Sequence, residues 1–169
     1  MREYLTDPLS SKDNRAEFCC GEASLDDYLK KYAGQDQKRR EAAVFVYSVE
    51  NQIAGYYTLS ALQVDTSEFP KPILKKLRLS SYPKKPATLL GRLAVDQKFQ
   101  QEGIGKLILV DALKRSYFQS TQIGSVAVAV DALNEQAATF YQHFGFVRLT
   151  TQPNRLVLPM KTIASLFES

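Results

Sequence analysis

Apolar positions recur along this chain with two periods. Near the start they fall at helical spacing, with Leu25, Tyr28, Leu29 and Tyr32 on one face. Ser24, followed three residues later by Asp27, supplies an N-cap with an acidic N3 residue for that helix. The run Ala42 to Val49 is rich in β-formers and predicts a strand; Glu50-Asn51-Gln52 turns it into a second, Ile53 to Leu62. The segment from Phe69 to Pro86 carries four prolines and a short helical piece around Ile73 to Leu79. A central strand follows at Thr88 to Val95, then a helix from Gly103 to Arg115 and a buried strand from Ser125 to Val130. Asn134 caps a further helix that ends at Gly145, a C′ glycine after Phe144. Arg155 to Met160 closes the sheet, and a short amphipathic tail, Ile163 to Phe167, follows. The order αββ(α)βαβαβ predicts an α/β (α+β) layer architecture: a mixed central sheet, antiparallel in its first half, flanked by helices.

Composition fits one domain over residues 1–169, long enough to bury a full core. No repeat, low-complexity tract or domain-sized linker interrupts it. The opening MREYLTDPLSSKD has no apolar h-region, which argues against a secretory signal. No apolar run approaches membrane-spanning length, and Val126 to Val130 suits a buried strand. Cys19 and Cys20 are adjacent, a poor geometry for a disulfide, and reduced thiols in a cytoplasmic protein are the expectation. The single histidine, His143, has no ligand partners nearby in sequence, so no metal site is expected.

The most distinctive chemistry lies at LLGRLAVDQKFQQEGIGK, residues 89–106, an apolar strand running into a glycine-punctuated helix start. Gln100, Gly103 and Gly105 form Q-x-x-G-x-G, which aims backbone N–H groups and the positive end of a helix dipole at one point, as a pyrophosphate requires. It is not a Walker A loop, because Gln100 stands five residues before Gly105, where that motif needs glycine. It is not a dinucleotide fingerprint either, because Ile108 occupies the position of the third small residue. By itself the loop fits an anion site and equally an ordinary helix start with two turn glycines. Twenty-nine residues after Gly105 comes N-x-x-A-x-x-F-Y-x-x-x-G-F, carried by Asn134, Ala137, Phe140, Tyr141, Gly145 and Phe146.

The two motifs together, in this element order, resemble motifs A and B of the GCN5-related N-acetyltransferases, the GNAT family, over nearly the whole chain. The resemblance implies the acyl-CoA N-acyltransferase fold, acetyl-CoA as co-substrate and no metal. It places the pyrophosphate on Gln100, Gln101, Gly103, Ile104, Gly105 and Lys106, and the pantetheine arm against the backbone of Leu93, Ala94 and Val95. It sets Asn134, Ala137 and Phe140 beside the thioester arm and makes Tyr141 the proton donor to the departing thiolate. Taken alone, Tyr141 reads as a core aromatic with its hydroxyl tied off, and Asn134 as an N-cap.

The N-terminal half narrows the acceptor. Phe18, Gly21, Leu25-Asp26, Tyr28-Leu29, Gln35-Asp36 and Gly55-Tyr56-Tyr57 resemble, in order and spacing, the GNAT toxins of type II toxin–antitoxin modules. That likeness implies acetylation of the α-amino group of an aminoacyl-tRNA, a ribbon-helix-helix antitoxin as partner, and a homodimer.

Charge supports an RNA acceptor independently. Net charge is only +4, but residues 69–95 hold seven bases (Lys71, Lys75, Lys76, Arg78, Lys84, Lys85, Arg92) and no acid. Lys38-Arg39-Arg40 forms a second cluster at the end of the first helix. Of these, Arg78, Lys84, Lys85, Arg92, Arg39 and Arg40 are the candidates for tRNA phosphates; a solvated basic loop would carry the same charges. Arg92 lies in the central strand, where acceptor, cofactor and a carboxylate are all conceivable partners. Asp96, Glu102 and Asp131 are candidate general bases by sequence proximity alone. An α-amine, with pKa ~7.7–8.0, needs a strong base less than a lysine at ~10.4. A GNAT enzyme for a protein N-terminus or small-molecule amine remains an alternative, as does a non-catalytic CoA-binding module. Polyamine and aminoglycoside sites call for acids, which the 69–95 segment lacks.

Overall fold

A computed structural model describes residues 3–168. Seven strands lie in the order β1-β2-β3-β4-β5-β7-β6 in one mixed sheet with helices. The strands are β1 Asp7–Pro8, β2 Ala43–Val49, β3 Gln52–Asp65, β4 Lys84–Val95, β5 Ala127–Asp131, β6 Val147–Arg148 and β7 Arg155–Pro159. The α-helices are α1 Ala23–Asp27, α2 Ala33–Lys38, α3 Lys71–Leu77, α4 Ile104–Gln119, α5 Glu135–His143 and α6 Met160–Phe167. No described helix is long and apolar enough to cross a membrane. The chain forms two compact units: residues up to Ser60 with Leu90–Arg115, and Ala61–Leu89 with the residues from Ser116 onward.

In the first unit, β1, β2 and β3 pair antiparallel. The β2–β3 hairpin closes through Glu50 and Asn51 at φ 50° and 65°, a two-residue turn whose backbone matches strand twist. The core gathers Phe18, Tyr28, Leu29, Ala33, Val44, Val46, Ile53 and Tyr56. Between α1 and α2 the chain is not α-helical as expected: Tyr28–Tyr32 is a π-helical stretch, in which Ala33 N–H reaches back to Tyr28 O. The wider turn shifts the buried face, so Tyr28, Leu29 and Ala33 go inside while Tyr32, expected there, is 56% exposed. Nor is Ser24 the cap: the helix starts two residues earlier, with Glu22 as an N-cap that makes no side-chain bond.

In the second unit, β5 and β6 both pair antiparallel with β7, and the core gathers Val64, Phe69, Ala87, Ala129, Leu149 and Val157. Here β4 begins at Lys84, four residues before the expected Thr88. Thr66 N–H donates to Pro83 O at 2.8 Å and Val126 N–H to Pro86 O at 2.9 Å, which ties the proline-bearing segment to its neighbours. Prolines without an N–H are tolerated because their carbonyls do the bonding.

Candidate active site

The sequence-predicted residues fall in both units, and each unit brings its own set together. In the first, β4 ends at Leu93-Ala94-Val95 beside Gly55. A Cβ at Gly55 would lie 2.9 Å from the Ala94 carbonyl oxygen, so only glycine permits this approach. The chain then turns at Asp96, whose N–H donates to Ala54 O at 2.8 Å. The Asp96 carboxylate is buried, and each oxygen accepts one backbone N–H: Oδ1 from Lys98 at 2.9 Å, Oδ2 from Cys19 at 3.0 Å. The Gln100 side-chain amide donates to Val95 O and Cys20 O, both at 2.9 Å. Gln97 N–H adds a bond to Cys19 O at 2.8 Å. The Cys19-Cys20 segment is thereby stitched to the turn that precedes the glycine loop. Gln100 acts on the loop through its neighbours, bracing it with its side chain.

Beyond Gln100 the backbone enters the left-handed region at Gln101 (φ 68°) and Gly103 (φ 77°). A Cβ at Gly103 would meet nothing within 4 Å, so the space ahead of α4 is open and the glycine serves its φ. Leu107 N–H makes the first bond of α4, to Gly103 O at 3.1 Å. The N–H groups of Ile104, Gly105 and Lys106 precede that bond and have no intrahelical acceptor. Together with the helix dipole they make an anion cradle whose partners are all backbone groups.

Arg92, also in the first unit, lays its guanidinium 3.5 Å from the centre of the Tyr28 ring. Tyr28 is fixed in turn by its hydroxyl, which donates to Asp36 Oδ2 at 2.8 Å. Of the partners conceivable for Arg92, a carboxylate is not among those found: within the described residues its donors meet no hydrogen-bond or ion-pair partner. The sequence places Tyr28 on the apolar face of the first helix and among the residues that carry the toxin resemblance. A helical-face tyrosine carries no sequence signal that an arginine on a distant strand will stack on it. At the end of α2, Arg39 and Arg40 are exposed.

In the second unit, α5 starts at Asn134, whose Oδ1 accepts the Ala137 N–H at 2.9 Å. That atom is thus engaged as a cap, leaving the Nδ2 group. Phe140 packs edge-on to Tyr141 at 5.3 Å, and Phe146 does so from beyond the helix at 5.4 Å. Tyr141 is 7% exposed, and burial raises its phenol above the ordinary value. Three other buried tyrosines are tied off. Tyr28 donates to Asp36, Tyr56 to Leu25 O at 2.7 Å, and Tyr57 to Asp111 at 2.7 Å. The Tyr141 hydroxyl has no hydrogen-bond partner among the described residues. No buried polar side-chain atom among the described residues is left unpaired, so this hydroxyl reaches the surface, where a ligand can meet it.

Two candidate bases have structural duties. Asp96 is engaged at both oxygens, and Asp131 holds Arg155 through two bonds of 2.8 Å. Glu102 is exposed on the loop. Among the basic residues of the second unit, Arg78 (φ 50°) ends α3 and is exposed, as is Lys84. Lys85 differs: it is buried, its ammonium donates to Ser80 Oγ and lies 5.8 Å from the Tyr82 ring. It therefore holds the segment together and offers little free charge.

Residues 40–148 match the model of the acetyltransferase (GNAT) domain. The chain belongs to the GNAT family. It is 35% identical over 158 residues to a tRNA-acetylating toxin of Mycobacterium tuberculosis, covering 94% of this chain and 93% of that one. Among solved structures it resembles AtaT complexed with acetyl-methionyl-tRNAfMet, with TM-score 0.87 and 27% identity over 98% of this chain and 99% of that one. It also resembles a tyrosine-to-phenylalanine mutant of the AtaT toxin bound to the C-terminus of the antitoxin AtaR, with TM-score 0.81 and 26% identity over 99% and 100%. In this GNAT chain, sequence inspection missed the brace that Cys19 and Cys20 give the loop. Their adjacency carried no disulfide or metal signal, and the bond that matters is to their backbone.

Proposed function

We propose that this chain is an acetyl-CoA-dependent N-acetyltransferase that acetylates the α-amino group of an aminoacyl-tRNA and so acts as a translation-blocking toxin. The observation that carries the chemistry is Tyr141, a phenol with a buried ring whose hydroxyl reaches the surface and has no partner among the described residues. As the neutral amine attacks the thioester carbon, a C–N bond forms and the C–S bond breaks. Tyr141 donates its proton to the departing sulfur and recovers one from the nitrogen as the amide forms, so the net transfer is from nitrogen to sulfur. The backbone N–H groups of Gln101, Gly103, Ile104, Gly105 and Lys106 receive the pyrophosphate. Gln100 and Asp96 keep that loop in shape, and the β4 backbone at Leu93, Ala94 and Val95 pairs with the pantetheine arm. Asn134, Ala137 and Phe140 present α5 to the same arm.

The likeness to a tRNA-acetylating toxin and to a complex containing acetyl-methionyl-tRNAfMet supports the RNA acceptor. Arg92, Arg78, Lys84, Arg39 and Arg40 meet its phosphates, and Lys85 supports their segment. The setting is cytoplasmic and the working form a homodimer. A ribbon-helix-helix antitoxin neutralises it, as the likeness to antitoxin-bound AtaT suggests. Incubation with labelled acetyl-CoA and charged tRNA should label the RNA fraction. Deacylated tRNA and free peptides should stay unlabelled. Label on peptides alone would move the activity to protein N-termini.

A further inference from the structure

The outer side of the first helical region carries a feature that the acceptor reading does not use. Two adjoining hollows of about 500 and 530 Å³ share Arg15 and Lys30 in their linings; the first also includes Lys38 and Gly34. Lys30, Gly34 and Lys38 follow one another at four-residue spacing, so they stack along one helical face. The two lysines are separated by about 10–12 Å of helix axis, which makes a row of charge and not a single chelating point.

Arg15 is built into this row. Its Nη1 donates to Leu29 O at 3.2 Å, on the π-helical stretch, and its guanidinium crosses the helix at Gly34. A Cβ at residue 34 would lie 3.3 Å from Arg15 Nη1, tighter than ordinary contact. A glycine inside a helix is less stable there than alanine, and seating Arg15 is the visible reason for it here. The floor is held by Gln37, whose amide donates to Leu9 O at 2.8 Å and accepts from Val44 N–H at 3.2 Å. The lining of the first hollow holds no acid; Asp27 pairs with Lys31 at 3.7 Å, and Asp13, which lines the second hollow, accepts a neutral donor, the Ser10 N–H, at 2.7 Å. Lys30 and Lys38 have no partner among the described residues.

We infer that the groove formed by Arg15, Lys30 and Lys38 is a phosphodiester-binding site, which takes the backbone of the acceptor RNA away from the aminoacyl end. The inference rests on the aminoacyl-tRNA reading and extends it to a surface continuous in sequence with Arg39 and Arg40. A row of exposed lysines tracks a phosphate backbone, and the Arg15 fork fixes one phosphate in register.

The test is a Lys30→Gln/Lys38→Gln double variant, both positions exposed and free of structural bonds. Its acetylation of full-length aminoacyl-tRNA is compared with that of an aminoacylated CCA trinucleotide, across a salt series. Expected are a raised KM for the full-length substrate, a log KM against log salt slope smaller by about two, and unchanged kcat. Acetylation of the trinucleotide, which lacks the acceptor-stem phosphates, should not change. An unchanged KM and slope would overturn the groove assignment alone. So would retained tRNA binding with lost affinity for poly-glutamate, since the groove would then serve carboxylates. Failure of the unaltered protein to acetylate either substrate overturns the parent reading, and the groove assignment with it.

Discussion

Tyr141→Phe removes one oxygen and leaves the ring between Phe140 and Phe146, so it separates chemistry from packing. The hydroxyl has no hydrogen-bond partner among the described residues, so its removal breaks no internal bond and should change stability by no more than about 0.5 kcal/mol. If the phenol protonates the leaving thiolate, kcat should fall by about 10²–10⁴, the usual range for a positioned acid. At 1.36 kcal/mol per tenfold, that is about 3–5 kcal/mol of transition-state stabilisation. Tyr57→Phe is the matched control. Its hydroxyl sits in a buried network with Asp111 at 2.7 Å, Arg115 Nε at 2.8 Å and Thr6 Oγ1 at 3.2 Å. Losing it should destabilise the fold by about 1–3 kcal/mol and spare the chemical step. Single-turnover acetylation rates and denaturant melts on both variants give the comparison. Unchanged kcat in Tyr141→Phe would falsify the proton-donor role. A loss of stability there as large as in Tyr57→Phe would show that the hydroxyl is structural after all.

Three further outcomes follow from the same geometry. The rate at subsaturating substrate should climb as the α-amine deprotonates near pH ~7.7–8.0 and then stay level to about pH 9, because burial keeps Tyr141 protonated beyond its ordinary ~10; a downturn between pH 8 and 9 contradicts the phenol as donor. Cys20 is half-buried, and burial together with the Asp26 carboxylate pushes its thiol up to about 12, so iodoacetamide at neutral pH should modify exposed Cys19 and spare Cys20. Equal labelling of both, read by peptide mass spectrometry, would refute that environment. Asp96→Asn places an amide donor against the Cys19 or Lys98 N–H, and should destabilise the fold by about 1–3 kcal/mol and weaken acetyl-CoA binding without altering the pH profile. A changed profile at unchanged stability would return Asp96 to the role of base.

What the sequence made legible follows from how local each signal is. The β-former runs at Ala43–Val49 and Ala127–Asp131, the Asn134 cap and the glycine of the α4 loop each depend on a few adjacent residues, and they lie where the pattern puts them. The π-helical turn at Tyr28–Tyr32 is different, because a one-residue slip in helical phase changes no composition and is set by what Tyr28 packs against. The start of β4 was hidden because Lys84-Lys85-Pro86 has loop composition, and its place depends on partners more than fifteen residues away. In the candidate site, backbone roles were legible from glycine spacing. Side-chain roles set by tertiary contact were not: the Arg92–Tyr28 stack, the Gln100 brace and the Arg15 seat on Gly34 each join residues from separate elements.

The acceptor assignment has a direct chemical readout. Aminoacyl-tRNA incubated with acetyl-CoA and the protein is digested to its terminal aminoacyl-adenosine, and the fragment is sequenced by tandem mass spectrometry. Expected is a single added acetyl group on the α-nitrogen, present with the unaltered chain and sharply reduced with Tyr141→Phe. An unmodified aminoacyl-adenosine, or an acetyl group on a base or ribose, contradicts α-amino acetylation.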